Sequence, residues 1–418
     1  MSARSCGIDF GTSNSTVAIA DAHSARLLPL EDDHCTLPSA VFWESDGAAP
    51  EFGRAAIAAY VRGDDGRLMR GLKSTLGSSL ITEKTRVGNR AISFKDLVAR
   101  FFGHLKSRMD AETGAGITSV VLGRPVHFVD DDESGDAAAQ AVLEDIARAT
   151  GFSEIAFQYE PIAAALQYEA GISREDLVLI VDIGGGTSDF SIVRVSPDRA
   201  KQADRQADIL ANDGIRVGGT DFDRLLSLSD VMPHLGYLSP TGGGKGLMPR
   251  HYFLDLATWH RINMLYTGRA MTDLKALRHT ADRQDLIDRL IKVVSARTGH
   301  SLAMATEAAK IALADADVAR IAMSVFTGGP NPLATRARFD EAVAAPVGRI
   351  RATLQNLLAQ AGLHPLDIGT VFMTGGSSGL PILRACVADV LPGVPVATGD
   401  MLGSVGTGLA LEAQRRFG

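Results

Sequence analysis

The sequence predicts an α/β protein built from two duplicated lobes, and three observations carry that reading. A chain of 418 residues exceeds what one ordinary hydrophobic core holds. An apolar strand ending in Asp, a turn of Gly and hydroxyl residues and a returning β-branched strand occur twice, at Asp9 and at Asp182. Strand-like and helix-like patterns then alternate along the rest of the chain. The two copies lie more than a third of the chain apart, whereas a solenoid repeats every ~20 to 50 residues, so duplication at domain scale is the better account.

The first copy reads Cys6-Gly-Ile-Asp-Phe, Gly11-Thr-Ser-Asn-Ser and Thr16-Val-Ala-Ile-Ala, a strand, a small-residue turn and a second strand. Ser119 to Phe128 reads as a buried strand, and Asp136 to Thr150 as an Ala-rich helix stopping before Gly151. Ile155 to Tyr159 is another strand, and Pro161 suits the first turn of the helix that opens at Glu160. The second copy runs from Leu177 to Ile183, through Gly184-Gly-Gly-Thr-Ser-Asp, and out along Phe190 to Val195. Arg194 to Asp208 is polar and reads as a loop, and Ile209 to Asp223 as a strand, a Gly pair and a helix start. Leu286, Leu290, Val293, Val294, Leu302, Ala305, Ala309 and Leu313 give helical periodicity over Asp285 to Ala314, broken around Thr298-Gly299. Thr370 to Thr374 is a strand, Gly375-Gly-Ser-Ser-Gly a turn, and helices start at Leu380 and Gly403.

A net charge of −7 argues against a nucleic-acid surface as the main function, since such surfaces cluster Lys and Arg. Three cysteines without metal-type spacing support neither a disulfide framework nor a zinc site and fit a reducing cytoplasm. Met1 to Ser5 leads straight into a strand with no apolar leader, and no run of about 18 apolar residues is present, so neither export nor a membrane span is expected.

A triphosphate needs many N–H donors at short range, which only small-residue turns present closely enough. Gly11 to Asn14, Gly184 to Thr187 and Gly375 to Gly379 qualify. An Asp bonding its own following amides would explain one such turn. Two carboxylates, Asp9 and Asp182, each at a strand end before the same pattern, point instead to Mg²⁺, a hard cation often held by carboxylates through its waters. Thr241-Gly-Gly-Gly-Lys-Gly imitates a phosphate loop but has Ser239 where its first Gly belongs and Gly246 where Ser or Thr must follow Lys245, so a surface loop is expected.

Ile8-Asp-Phe-Gly-Thr-Ser-Asn-Ser, Val181-Asp-Ile-Gly-Gly-Gly-Thr-Ser-Asp-Phe and Thr374-Gly-Gly-Ser-Ser-Gly-Leu-Pro resemble the three signatures of the Hsp70 nucleotide-binding domain, in order and spacing. Glu160-Pro-Ile-Ala-Ala-Ala and Gly218-Gly-Thr-Asp-Phe-Asp resemble two further blocks. The resemblance implies an actin-like ATPase fold, as in hexokinase, with two lobes of two subdomains around a nucleotide cleft. Lobe I would be 1–175; lobe II would be 176–418, with a helical insertion at about 225–320 and a last helix returning to lobe I. It implies that Gly11, Thr12, Ser13, Asn14, Gly184, Gly185, Gly186 and Thr187 hold the phosphates of ATP or ADP. Gly218, Gly219, Glu307, Lys310, Gly375, Gly376, Ser377, Ser378 and Asp400 complete the nucleotide set. Asp9 and Asp182 would surround the hydrated Mg²⁺, and Lys73, Glu160, Asp182, Thr187 and Asp189 would be catalytic, Lys73 neutralising the transferring phosphoryl group.

Three departures qualify the resemblance. Ile311 and Gly379 stand where the family has its adenine-sandwiching arginines, which implies weaker and less selective adenine binding. No acidic-hydrophobic linker or β-sandwich peptide-binding domain follows the last helix, and Pro249 to Arg261 is more aromatic and basic than expected, as in the shortened YegD-like bacterial subgroup. The expected protein is a monomeric, cytoplasmic, slow Mg-ATPase acting as a nucleotide-dependent switch for a protein partner or co-chaperone. A small-molecule or sugar kinase on the same fold and a nucleotide-bound scaffold without turnover remain as alternatives.

Overall fold

The computed structural model describes residues 5–21, 24–45, 49–87, 90–114, 116–129, 132–202, 204–397 and 403–418. Packing divides the chain into two compact units: one holds Met1–Ile215, Thr353–Ser378 and Ala388–Gly418, the other Arg216–Ala352 and Gly379–Val387.

The first unit contains the duplication. One sheet is built from β1 (Ser5–Phe10), β2 (Asn14–Ala20), β3 (Ala25–Leu27), β4 (Ser119–Arg124) and β5 (Glu154–Tyr159), in the order β5-β4-β1-β2-β3. Its counterpart uses β6 (Asp176–Ile183), β7 (Ser188–Val195), β8 (Ile209–Ile215), β9 (Thr370–Thr374) and β10 (Val396–Ala397), in the order β10-β9-β6-β7-β8. The senses match strand for strand. β1 and β6 each pair antiparallel with the next strand, and each has two parallel strands on its other side. The repeat seen in sequence is therefore a repeat of topology. One further short strand, Thr36–Pro38, pairs with β2 at Asn14–Thr16.

Side-chain alternation in these strands decides where the two Asp residues point. In β1, Cys6, Ile8 and Phe10 are buried in a core with Phe101, Phe102 and Leu105 of the helix α1 (Phe94–Thr113). Phe10 meets Phe102 edge-on at 5.2 Å between centroids. Gly7 and Asp9 take the opposite face. In β6, Val178 and Ile180 join a second core with Ile162 to Ala165, Val405, Leu409 and Ala413, and Asp182 shares their face. That second core is filled by two helices, Glu160–Glu169 and Ser404–Phe417, labelled α3 and α7 once α2 is counted at Glu133–Ala149. Gly408 lets α7 close on α3, because a Cβ there would overlap the Ala163 carbonyl. Asp9 and Asp182 thus sit at the strand ends bordering this helix-filled layer.

Local chemistry accounts for the helix ends. α2 starts three residues before the sequence suggests because Asp132 caps it, accepting from the Gly135 amide at 3.0 Å. α1 is capped by the Ser93 hydroxyl and stops at Gly114, which has φ of 63°. The strand read from Ser119 to Phe128 stops at Arg124.

The polar run Arg194 to Asp208 differs from the loop expected. β7 continues to Val195 and two single 3₁₀ turns follow, Arg199–Lys201 and Gln206–Asp208. Arg205, with its side chain 1% exposed, donates to both oxygens of Glu169 at 2.9 Å and pairs with Asp208. Charge in the text reads as solvated surface; here it is a buried ion network tying the segment to the end of α3.

The second unit carries the helices α4 (Gly219–Leu226), α5 (Gln284–Ser295) and α6 (Gly299–Ala312). The break between α5 and α6 falls where periodicity placed it, and Arg297 adopts a φ of 53° there. Pro249 to Arg261 forms a helical turn at His251–Leu256 and the start of a 3₁₀ segment at Trp259–Leu265. The phosphate-loop mimic is a tight ribbon, Pro240–Thr241 against Gly246–Leu247, with Gly242, Gly243 and Gly244 all at positive φ. Its Gly243 and Gly244 amides both donate to the Asp282 carboxylate at 2.8 Å, so the anion they hold belongs to the protein itself. No helix among the described residues is long and apolar enough to cross a membrane.

Candidate functional site

Three turns converge within the first unit. The hairpin β1–β2 turns through Gly11 to Ser13, and β6–β7 turns through Gly184 to Thr187, closed by the Gly184 amide donating to the Thr187 carbonyl at 2.9 Å. A Cβ at Gly185 would overlap Ser13 Oγ, so the two turns touch only because residue 185 has no side chain. The third turn follows β9, which runs parallel to β6 with Thr374 opposite Asp182. Gly375, at φ of 84°, lies where a Cβ would strike the Asp182 carboxylate, and the Ser377 amide donates to the Ile183 carbonyl at 3.2 Å.

Lys73 comes from the 3₁₀ turn Leu72–Thr75, anchored by buried Leu72 and led in by Gly71, whose φ is 66°. The same Gly71 lies beside the Thr12 methyl. Lys73 Nζ donates to Glu160 Oε1 at 2.5 Å, with both side chains less than a fifth exposed. Glu160 opens α3 directly after β5, and Pro161 in the first turn costs no hydrogen bond there.

The electrostatics are those of crowded acids around one cation. Asp9 is pushed up to about 7 by burial first and by Glu160 second, with Lys73 pulling the other way. Asp182 is also pushed up to about 7, by burial, then by Asp189, Glu160 and Asp9, again eased by Lys73. Burial would lower the Lys73 ammonium, but attraction to Glu160, Asp9 and Asp182 leaves it above its ordinary value. Asp189 is exposed across the hairpin from Asp182 and accepts from the Thr187 hydroxyl at 2.9 Å.

Two carboxyls raised to about 7 by burial and by neighbouring acids would be relieved by added positive charge, which fits a divalent cation. Among the described residues no three His, Cys, Asp or Glu side chains come close enough to ligate a metal directly. The donor set therefore suits a hydrated cation held through its waters, as Mg²⁺ commonly is, and not an all-protein cage.

Several residues singled out in the sequence take other positions. Thr12, Asn14, Gly186, Thr187, Asp189 and Gly376 are exposed, with Gly11, Ser13, Gly184, Gly185 and Gly375 half-buried. Ser377 and Ser378 are buried instead, and Ser378 turns its hydroxyl back onto the Gly375 carbonyl at 2.7 Å, shaping the turn from behind. In the second unit, Gly218 and Gly219 are buried at the start of α4, with the Gly218 amide donating to Asp221 at 3.1 Å. Lys310 is buried in α6, bridges to Asp223 at 2.8 Å and donates to the Gly219 carbonyl at 3.3 Å, tying α6 to α4; Glu307 is exposed. Asp400 lies outside the described residues.

Sequence reasoning overlooked Ser39. It is 1% exposed, and its hydroxyl donates to the Gly11 carbonyl at 2.6 Å while its amide donates to the Ser13 carbonyl at 2.8 Å. Nothing in its neighbourhood, Leu37-Pro-Ser-Ala, marks it; only the pairing of Thr36–Pro38 with β2 brings it beneath the turn.

The family model for the Hsp70 protein matches residues 5–230 and 274–414. The chain belongs to the Hsp70 family. The actin-like fold of that family accounts for the paired sheets and the two hairpin turns. Curated Hsp70-family relatives include the chaperone protein HscA of Salmonella typhimurium strain LT2, 27% identical over 97% of this chain. The HscA chaperones of Salmonella paratyphi C and Salmonella heidelberg are each 26% identical over the same share. The chain spans 57% of the length of these relatives.

Proposed function

We propose that this Hsp70-family chain binds Mg-ATP at the junction of its three turns and hydrolyses it slowly, as a nucleotide-dependent switch for a protein partner. One observation carries the reading: three turns rich in backbone donors meet beside a buried Lys73–Glu160 pair and two carboxyls raised to about 7. Membership in the Hsp70 family supports it. The likeness of 249–261 to the YegD-like subgroup and a cytoplasmic setting belong to the same proposal.

The roles follow from the chemistry of each group. Amides of Gly11 to Asn14 and Gly184 to Thr187 bind phosphate oxygens, and the exposed Thr12 hydroxyl adds a donor. Lys73, held protonated by its acidic neighbours, offsets negative charge on the transferring group. Glu160, fixed by Lys73, orients an attacking water, and Asp189, bonded to Thr187, holds that hydroxyl in place. When bound, Mg²⁺ would neutralise phosphate charge, with Asp9 and Asp182 holding its waters. By motif, Gly218, Gly219, Glu307 and Lys310 are assigned to nucleotide binding, and the lobes are placed at 1–175 and 176–418.

Steady-state ATP hydrolysis by the wild type against Lys73→Ala and Asp182→Ala tests the reading. The wild type should turn over slowly and both variants should fall about 100- to 1,000-fold, the scale of one lost electrostatic contact to the transition state. Equal rates in all three would refute turnover by these residues. ATP-dependent phosphorylation of an added hydroxyl compound would favour a kinase instead.

A further inference from the structure

The turn at Gly11 to Ser13 is exposed on one side, yet its carbonyls are held from the other side by a residue 28 positions downstream. Ser39 Oγ donates to the Gly11 carbonyl at 2.6 Å. Having spent its proton there, Ser39 Oγ can only accept from the Ser15 hydroxyl 2.9 Å away, which fixes a directed chain, Ser15 to Ser39 to Gly11. The Ser39 amide also donates to the Ser13 carbonyl at 2.8 Å. Ser15 is fully buried and Ser39 nearly so, so water does not compete for these bonds.

A trans peptide points the C=O of one residue and the N–H of the next in opposite directions. Pinning the Gly11 and Ser13 carbonyls inward therefore turns the Thr12 and Asn14 amides outward, and both of those residues are exposed. A Gly-led turn has many alternatives of similar energy, in some of which a carbonyl would face an incoming anion. We propose that Ser39 is a positioning residue for phosphate binding: it selects the peptide orientation that presents the Thr12 and Asn14 amides to a polyphosphate, without touching the ligand itself. This rests on the reading of the turn as part of an ATP site.

The test is titration of the 418-residue chain with Mg-ATP and, separately, with inorganic tripolyphosphate, comparing wild type, Ser39→Ala and Ser15→Ala. The two variants delete the same hydroxyl from the same buried layer, so Ser15→Ala is the control for lost packing. Thermal melts confirm that each variant is folded at the titration temperature. Ser39→Ala should weaken both ligands to a similar degree, by about 5- to 20-fold, as expected when a preorganised set of donors is released. Ser15→Ala, which leaves the bond to Gly11 in place, should stay within about 3-fold of wild type. Ser39→Ala binding both ligands like the wild type, or both variants weakening equally, would overturn the proposal. A wild type that binds neither ligand would overturn the ATP-site reading first, and this inference with it.

Discussion

Replacing Lys73 by Met keeps most of the side-chain volume and removes an ammonium that faces Glu160, Asp9 and Asp182. Breaking a buried ion pair by deleting one partner costs about 3–5 kcal/mol, because the remaining charge is left buried without compensation. The Lys73–Glu160 contact at 2.5 Å, with both side chains mostly buried, falls in that class. The pH dependence discriminates further. Lys73 lowers the carboxyls of Asp9 and Asp182, so its loss lifts both above about 7. A carboxyl raised in the folded state stabilises the fold at low pH, and that contribution is lost as pH climbs from the unfolded value through the folded one. While the folded-state value stays below 8.5, each additional unit of elevation makes the variant up to about 1.4 kcal/mol worse at pH 8.5 than at pH 5. Urea unfolding of ligand-free wild type and Lys73→Met at pH 5, 7 and 8.5 reads this directly. The deficit of the variant should widen with pH. A deficit constant from pH 5 to 8.5 would refute the coupling of Lys73 to the two aspartates.

Two further substitutions separate site geometry from stability. Gly185→Ala places a methyl onto Ser13 Oγ, whereas Gly103→Ala, in α1 and outside the three turns, meets nothing within contact range. Overpacking of this kind costs roughly 1–3 kcal/mol, so the first should weaken Mg-ATP binding by at least about 5-fold and the second should leave it near wild type in a fluorescent-nucleotide titration. Arg205→Ala strands the buried Glu169 and leaves Asp208 with Arg199 as its remaining ion-pair partner, and should cost about 3–5 kcal/mol by urea unfolding while leaving the three turns in place.

Much of the candidate site's local structure was legible because its information is local. A turn that must offer amides needs Gly and hydroxyl residues in sequence, and a carboxylate at a strand end sits next to the turn it serves, so Asp9, Asp182 and the three turns are contiguous text. The duplication was legible for the same reason: each copy repeats a strand, a turn and a strand, and matching topology follows. What escaped was chemistry made by distant segments. Lys73 and Glu160 were nominated by resemblance, but their direct bond joins residues 87 apart. Ser39 reaches the turn only through strand pairing, and Arg205 looked solvated because nothing beside it announces Glu169. The Gly243–Gly244 amides carry the opposite lesson, since a nest of glycine amides can be filled by the protein's own carboxylate, here Asp282.

The central claim is that Asp9 and Asp182 form, with the turns, a site built for a polyphosphate and a hard cation. Calorimetric titration of preformed Mg-ATP at pH 7 into the protein, in two buffers of different ionisation enthalpy, tests it most directly. With both carboxyls near 7, each is about half protonated before binding, so one-to-one binding should release roughly one proton per nucleotide. Binding whose heat is the same in both buffers, or no binding at all, would contradict it.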